Sequence, residues 1–139
     1  RERLQEVLRR YQPTQEKKTV MIVDDEPNAR ELLSSIVRKA GCVVVEAENG
    51  KKALTQLKET TPDLILLDLM MPEMDGFTFL TAMQSIHSVS GVPVIIVTAK
   101  ELTIEERKVL EGSTRRILQK GSYSRNELLT RVRHLVGAG

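Results

Sequence analysis

Five short apolar runs, "TVMIV" (19–23), "CVVVE" (42–46), "LILL" (64–67), "VPVIIV" (92–97) and "RRIL" (115–118), alternate with stretches whose apolar residues recur at helical spacing. No other feature constrains the fold as tightly. From residue 18 onward the alternation predicts five βα units. "LILL" and "VIIV" are apolar throughout, as parallel strands covered on both faces must be. Right-handed crossovers in such a series give an α/β fold with a doubly wound sheet.

The helix starts carry their own chemistry. Thr103 with Glu106 and Ser124 with Glu127 fit the S/T-x-x-E capping box. Asn49 and Asp75 stand as caps before helices over 50–58 and 76–86. Asn49-Gly50 also matches a hairpin turn, but the next strand-like run lies beyond the helical "KKALTQLKE", so a hairpin is excluded. Gly41 and Gly112 fall where helices should end.

Ligands of a doubly wound sheet bind beyond the carboxyl ends of its strands, so the site can be located from the runs alone. Asp24 and Asp25 end the first run, Asp68 the third and Thr98 the fourth, and Lys120 follows the fifth. Adjacent like charges repel, and Asp is a poor strand former, so a pair at a strand's mouth implies a positive partner. Three converging carboxylates would raise one another's pKa unless a cation held them ionised. Oxygen donors without His or Cys suit Mg²⁺, which takes one or two carboxylates, keeps several waters and binds phosphate oxygens. Three negative charges then balance Mg²⁺ and Lys120, and an incoming phosphoryl group meets no net repulsion.

Composition excludes little beyond that. The 139 residues, 40% hydrophobic and 29% charged, fit one globular domain with a sizeable core. A formal charge of +2 gives no case for a nucleic-acid or membrane surface. Cys42 is the only cysteine, which excludes an internal disulfide, fits a reducing, cytoplasmic compartment and reads as packing. No apolar run approaches the ~18 residues of a transmembrane helix. The chain opens on "RERLQEVLRR", where Leu4, Val7, Leu8 and Tyr11 predict an amphipathic helix, and "PTQEKK" reads as a linker. The division expected is therefore 1–17, a helix and linker from an upstream region and a candidate dimerisation element, and 18–139, the folded domain.

Residues 18–136 resemble the receiver domain of two-component response regulators. The resemblance rests on an ordered set: the acidic pair after strand one, Asp68 before "LMMPEMDG", Thr98-Ala99 after strand four and Lys120 after strand five. It implies a flavodoxin-like sheet of order 2-1-3-4-5 with five helices, here with an extra N-terminal helix. It also implies a phosphoryl group accepted on Asp68 from the phosphohistidine of a histidine kinase or phosphotransfer domain. Asp25 would bind Mg²⁺ directly, Asp24 partly through water, and the main-chain carbonyl of Met70 would complete the protein's ligands. Lys120 would pair with the phosphoryl group, and Thr98 would donate its hydroxyl to it. Such a domain has at most slow self-dephosphorylation as an activity of its own.

Two positions depart from the family pattern. Ile117 stands where an aromatic is usual in strand five, which puts an aromatic-flip mechanism in doubt. Gly121 follows Lys120 where Pro, often cis, is usual; a cis bond before a non-proline costs about 2.5–4 kcal/mol, so a trans bond and a differently shaped loop are expected.

Other residues read as structural. His87 and His134 are not placed with the acids, Met70, Met71 and Met74 read as packing, and the arginines at 115, 116, 125, 131 and 133 lack aromatic interleaving and read as a solvated or docking face. A haloacid-dehalogenase-type phosphatase would need a second Asp where Met70 stands. A flavodoxin-like redox protein would need a small-residue phosphate loop where "DDEPNA" stands. A degenerate receiver kept as an interaction scaffold would have lost acids that this chain retains. "ILQKGSYSRNELL" resembles the C-terminal receivers of hybrid sensor histidine kinases, which would make the parent a phosphotransferase.

Overall fold

The computed structural model describes residues 17–137. The N-terminal helix expected before residue 17 lies outside the described residues. Strands β1 (Thr19–Val23), β2 (Val43–Ala47), β3 (Leu64–Leu67), β4 (Val94–Thr98) and β5 (Arg116–Gln119) alternate with helices α1 (Pro27–Lys39), α2 (Gly50–Leu57), α3 (Gly76–Gln84), α4 (Ile104–Ser113) and α5 (Arg125–Val136). The five strands form one parallel sheet in the order β2-β1-β3-β4-β5, as expected.

Strand periodicity divides the core into two layers. Met21, Val23, Ile65, Leu67 and Ile96 point to one face, where Ala53 and Leu57 of α2, Phe79 and Met83 of α3 and Leu110 of α4 cover them. Val20, Ile22, Leu64, Leu66, Ile95 and Val97 point to the other, beneath Leu33, Ile36 and Val37 of α1 and Leu128, Val132 and Val136 of α5. The central strands β1, β3 and β4 are buried along almost their whole length, which is why their sequence shows no polar alternation. Burial pushes the Cys42 thiol up, and the residue packs in the second layer.

The helix starts follow the caps read from the sequence. Asn49 accepts from the Lys52 N–H, Asp75 from the Thr78 N–H, and Thr103 and Glu106 complete a reciprocal box. Ser124 makes only half of its box: it accepts from the Glu127 N–H, while the Glu127 carboxylate turns to Arg116 at 3.5 Å. Three helix ends differ from expectation, the first by a single residue: α2 stops at Leu57, with Lys58 as its cap. Helix α3 stops at Gln84, where the Ser85 hydroxyl donates to the Ala82 carbonyl at 2.7 Å. Gly112 does not end its helix but lies inside the last turn of α4, whose carbonyls are met by the Thr114 hydroxyl and N–H on Leu110. Gly41, at φ +86°, does take the left-handed position after α1.

Candidate phosphoacceptor site

The strand order reverses between β1 and β3, and a crevice opens there beyond the carboxyl ends of the strands. Val23 pairs with Leu67, so Asp24 and Asp68, the next residues, emerge side by side. Their backbones extend the ladder: the Asp68 N–H donates to the Val23 carbonyl at 3.0 Å and the Asp24 N–H to that of Ala47 at 3.2 Å. Carboxylate oxygens of Asp24, Asp25 and Asp68 lie within 4.8 Å of one another. Asp24 and Asp68 are buried, and Asp25 is exposed.

Lys120 reaches this group from two strands away. Thr98 pairs with Gln119, and the Lys120 N–H donates to the Thr98 carbonyl at 2.8 Å. The Ser122 N–H then closes a tight turn onto the Gln119 carbonyl at 3.0 Å. Gly121 is the third residue of that turn, at φ +82°, a conformation in which any side chain would be strained. Every described peptide bond is trans, as expected with Gly in that place. The Lys120 ammonium lies 2.8 Å from Asp24 Oδ2, 3.3 Å from Asp68 Oδ2 and 3.8 Å from Glu26 Oε1.

The charges of the site are unequal in their solvation. Burial, reinforced by the Asp68 charge, holds the Asp24 carboxyl above its ordinary value despite the Lys120 contact and the N–H of Glu26. Burial alone would lower Lys120, but Asp24 and Asp68 outweigh it and hold the ammonium above its ordinary range. Asp24 Oδ1 accepts from the Glu26 N–H at 2.9 Å. Its Oδ2, fully buried, has the lysine charge near it but no aligned hydrogen-bond donor. A buried carboxylate oxygen left in that state, among three oxygen-donor side chains, fits a hard divalent cation.

The other residues singled out in the sequence divide plainly. Thr98 is fully buried, and its hydroxyl oxygen accepts from the Lys100 N–H at 3.2 Å, tying the loop after β4. The Met70 N–H donates to Asp68 Oδ1 at 3.2 Å, while its side chain is exposed, unlike Met71 and Met74, which pack in the core. Ile117 packs against the layer covered by α2, α3 and α4. His87 lies in the turn after α3 and His134 in the last turn of α5, both exposed and at the edge opposite the acids, where helices of a parallel sheet end. Arg116 and Arg133 are engaged with Glu127 and the Lys39 carbonyl.

Three participants were not read from the sequence. Glu26 is a third acid within reach of Lys120. Glu73, at φ +67°, is the only described non-glycine residue with positive φ, in the loop that follows Asp68. Gly76 lies so close to that loop that a Cβ would meet the Leu69 Cα at 2.7 Å and the Asp68 carbonyl at 2.8 Å. A Gly opening a helix after "MD" is the one signal that pointed there.

A model of the response regulator receiver domain family matches residues 20–133. The chain belongs to that family. This receiver domain is 35% identical over 114 residues to the DNA-binding response regulator MtrA of Mycolicibacterium smegmatis, covering 82% of this chain and 48% of MtrA. It is 36% identical over 117 residues to the transcriptional regulatory protein BaeR of Escherichia coli, covering 84% of this chain and 47% of BaeR. The chain thus spans about half the length of these curated relatives. Among solved structures, the signal receiver domain of a signal transduction histidine kinase from Syntrophus aciditrophicus is similar at a TM-score of 0.77 and 28% identity, over 86% of this chain and 90% of that one. Among the described residues no helix is long and apolar enough to cross a membrane.

Proposed function

We propose that this receiver domain accepts a phosphoryl group on Asp68 from a phosphohistidine donor, in a Mg²⁺-dependent reaction, and changes conformation in response. One observation carries the reading: Asp68 shares a 4.8 Å cluster with Asp24 and Asp25 while its Oδ2 lies 3.3 Å from a protonated lysine. In the transfer, an Asp68 carboxylate oxygen bonds to phosphorus as the bond from phosphorus to the donor imidazole nitrogen breaks, and that nitrogen keeps the electron pair. The product is an acyl phosphate, and catalysis of such a transfer is mainly positioning and charge neutralisation.

Asp25, Asp24 and the Met70 carbonyl would hold Mg²⁺ together with Asp68. The ion would supply neutralisation of the phosphoryl oxygens. Lys120 would move its ammonium from the acids to a phosphoryl oxygen, and the Thr98 hydroxyl would donate to another. A hydrogen bond to a charged group contributes about 1.5–3 kcal/mol, whereas moving an equilibrium from 1:99 to 99:1 takes about 5.5 kcal/mol. Thr98 and Lys120 together approach that figure, and Thr98 alone does not.

The test is incubation with acetyl phosphate, with and without Mg²⁺, followed by intact mass. A gain of one phosphoryl group that needs the metal and vanishes in Asp68→Asn supports the reading; equal labelling without metal, or labelling of Asp68→Asn, overturns it. A scaffold without regulated phosphorylation would show no labelling under any condition.

For the parent, we read the C-terminal receiver of a hybrid sensor histidine kinase in the cytoplasm, with a histidine kinase or phosphotransfer domain as partner and no contact of this domain with nucleic acid or membrane. The likeness to the Syntrophus histidine kinase receiver supports it. The higher identity to MtrA and BaeR favours a second reading, a DNA-binding regulator. Radiolabelled ATP added to the full-length parent distinguishes them, because only a hybrid kinase labels its own receiver.

A further inference from the structure

We infer that Arg30 is a positioning residue of the metal cluster, fixing the peptide that joins Asp24 to Asp25. Arg30 Nη1 donates to the Asp24 carbonyl at 2.7 Å, and Nε donates to Glu46 Oε1 at 3.2 Å. Glu46 is itself held on its other oxygen by the buried Ser34 hydroxyl at 2.9 Å, and its carbonyl accepts from Gln56 at 3.0 Å. Asp24 is thereby gripped on both sides of its backbone, at its N–H by Ala47 and at its carbonyl by Arg30. The next peptide plane, which carries Asp25, has its carbonyl end fixed before the exposed Asp25 side chain begins.

The location of Arg30 argues for this use. It stands fourth in α1, at the end of a first turn that has no acidic residue, and the side chain of the N-cap Glu26 makes no capping bond. A cation there opposes the helix dipole and the orphan N–H groups, so the helix gains nothing from it. Its guanidinium is largely buried, with a side-chain exposure of 18%. Only a planar, forked donor can serve the Asp24 carbonyl and Glu46 together; a lysine ammonium can serve one well. Glu46 also neutralises the guanidinium, so a strong donor is supplied beside the acids without an added positive charge to oppose a dication.

The inference rests on the metal reading above, and the experiment separates the two. Mg²⁺ is titrated into ¹⁵N-labelled chains carrying no substitution, Arg30→Ala, Arg30→Lys, Glu46→Gln or, as a control on the exposed side of the same helix, Arg38→Ala, and the amide shifts of residues 24, 25 and 68 are followed; thermal midpoints are measured without metal. Outer residues that orient metal ligands typically change affinity roughly 10- to 100-fold. We expect Arg30→Ala to weaken Mg²⁺ binding about tenfold or more, Arg30→Lys to recover part of that, Glu46→Gln to fall between, and Arg38→Ala to match the unsubstituted chain. If Arg30→Ala fails to fold, Arg30→Lys carries the comparison. Unchanged Mg²⁺ affinity in the Arg30 variants, with only a lowered midpoint, overturns the inference and leaves Arg30 as a tie between α1 and β2. No Mg²⁺ binding by the unsubstituted chain overturns the metal reading and this inference with it.

Discussion

Lys120 Nζ lies 2.8 Å from Asp24 Oδ2, closer than the 3.3 Å that separates it from Asp68 Oδ2. The lysine charge therefore sits closest to a proposed metal ligand, although its aligned hydrogen bond goes to the proposed phosphoacceptor, and an arriving dication has to share Asp24 with it. Replacing Lys120 by Gln removes a competing charge a few ångströms away. Mg²⁺ should bind Lys120→Gln about tenfold more tightly, about 1.4 kcal/mol, by calorimetry, while labelling by acetyl phosphate slows. Weaker Mg²⁺ binding by the variant would show that the lysine supports the metal rather than competes with it.

Asp24 predicts an unusual pH dependence. Its carboxyl is held above the ordinary value of 3.8, so the folded chain binds this proton more tightly than the unfolded one. Stability attributable to Asp24 then falls as pH rises from 3.8 to its raised folded value, and the cost persists above it. Without Mg²⁺, Asp24→Asn should melt higher than the unsubstituted chain at pH 7, with the gap closing on acidification through that interval. With saturating Mg²⁺ the order should reverse. Identical midpoints at pH 7 in the absence of metal would contradict it.

Two glycines at helix starts should respond unequally to Ala. At Gly76 the added Cβ meets backbone, the Leu69 Cα and the Asp68 carbonyl, which cannot yield without moving the proposed nucleophile. Overpacking of this kind costs about 1–3 kcal/mol. At Gly50 the Cβ meets the Met74 side chain along its length, Sδ at 2.9 Å, Cγ at 3.0 Å and Cβ at 3.2 Å, but no backbone, and Ala has the better helix propensity. Denaturant melts should show the larger loss for Gly76→Ala, together with slower labelling, and a smaller loss with unchanged labelling for Gly50→Ala.

The switch is expected to move backbone more than side chains in β5. Thr98 already ties the β4–α4 loop through the Lys100 N–H, and Ile117, half-buried, packs against the core layer. Comparing hydrogen exchange with and without beryllofluoride, protection should change over 98–106 and 120–124 and stay nearly constant over 115–118. A maximum centred on Ile117, or a full response in Thr98→Ala, would refute this route.

The strands were legible because a sheet covered on both faces leaves unbroken apolar runs in β1, β3 and β4, with threonine only at the ends, and the helix starts because Asn49, Asp75 and Thr103 cap through side chains that advertise themselves. Once the strand ends were known, the convergence of Asp24, Asp25, Asp68 and Lys120, with Thr98 at the end of the neighbouring strand, followed from topology. Contacts set by long side chains did not follow. Lys120 favouring Asp24, Arg30 spanning two elements and Glu127 leaving its cap for Arg116 each depend on where several carbons end up, which no spacing rule records. Gly112 misled because a glycine near a helix end carries no mark of whether it closes the helix or merely precedes a better stop at Thr114.

The left-handed Gly121 has a consequence for which residue its loop can hold. Proline holds φ near −65°, and Gly121 stands at +82°, so the two residues cannot occupy the same loop. Putting proline at 121 would require the turn that carries Lys120 to change the sign of φ at its third residue, so the exchange is not a local one in this chain. The loop around 119–124 is therefore built for a left-handed residue after the lysine, and a loop with proline in that place is no template for its shape.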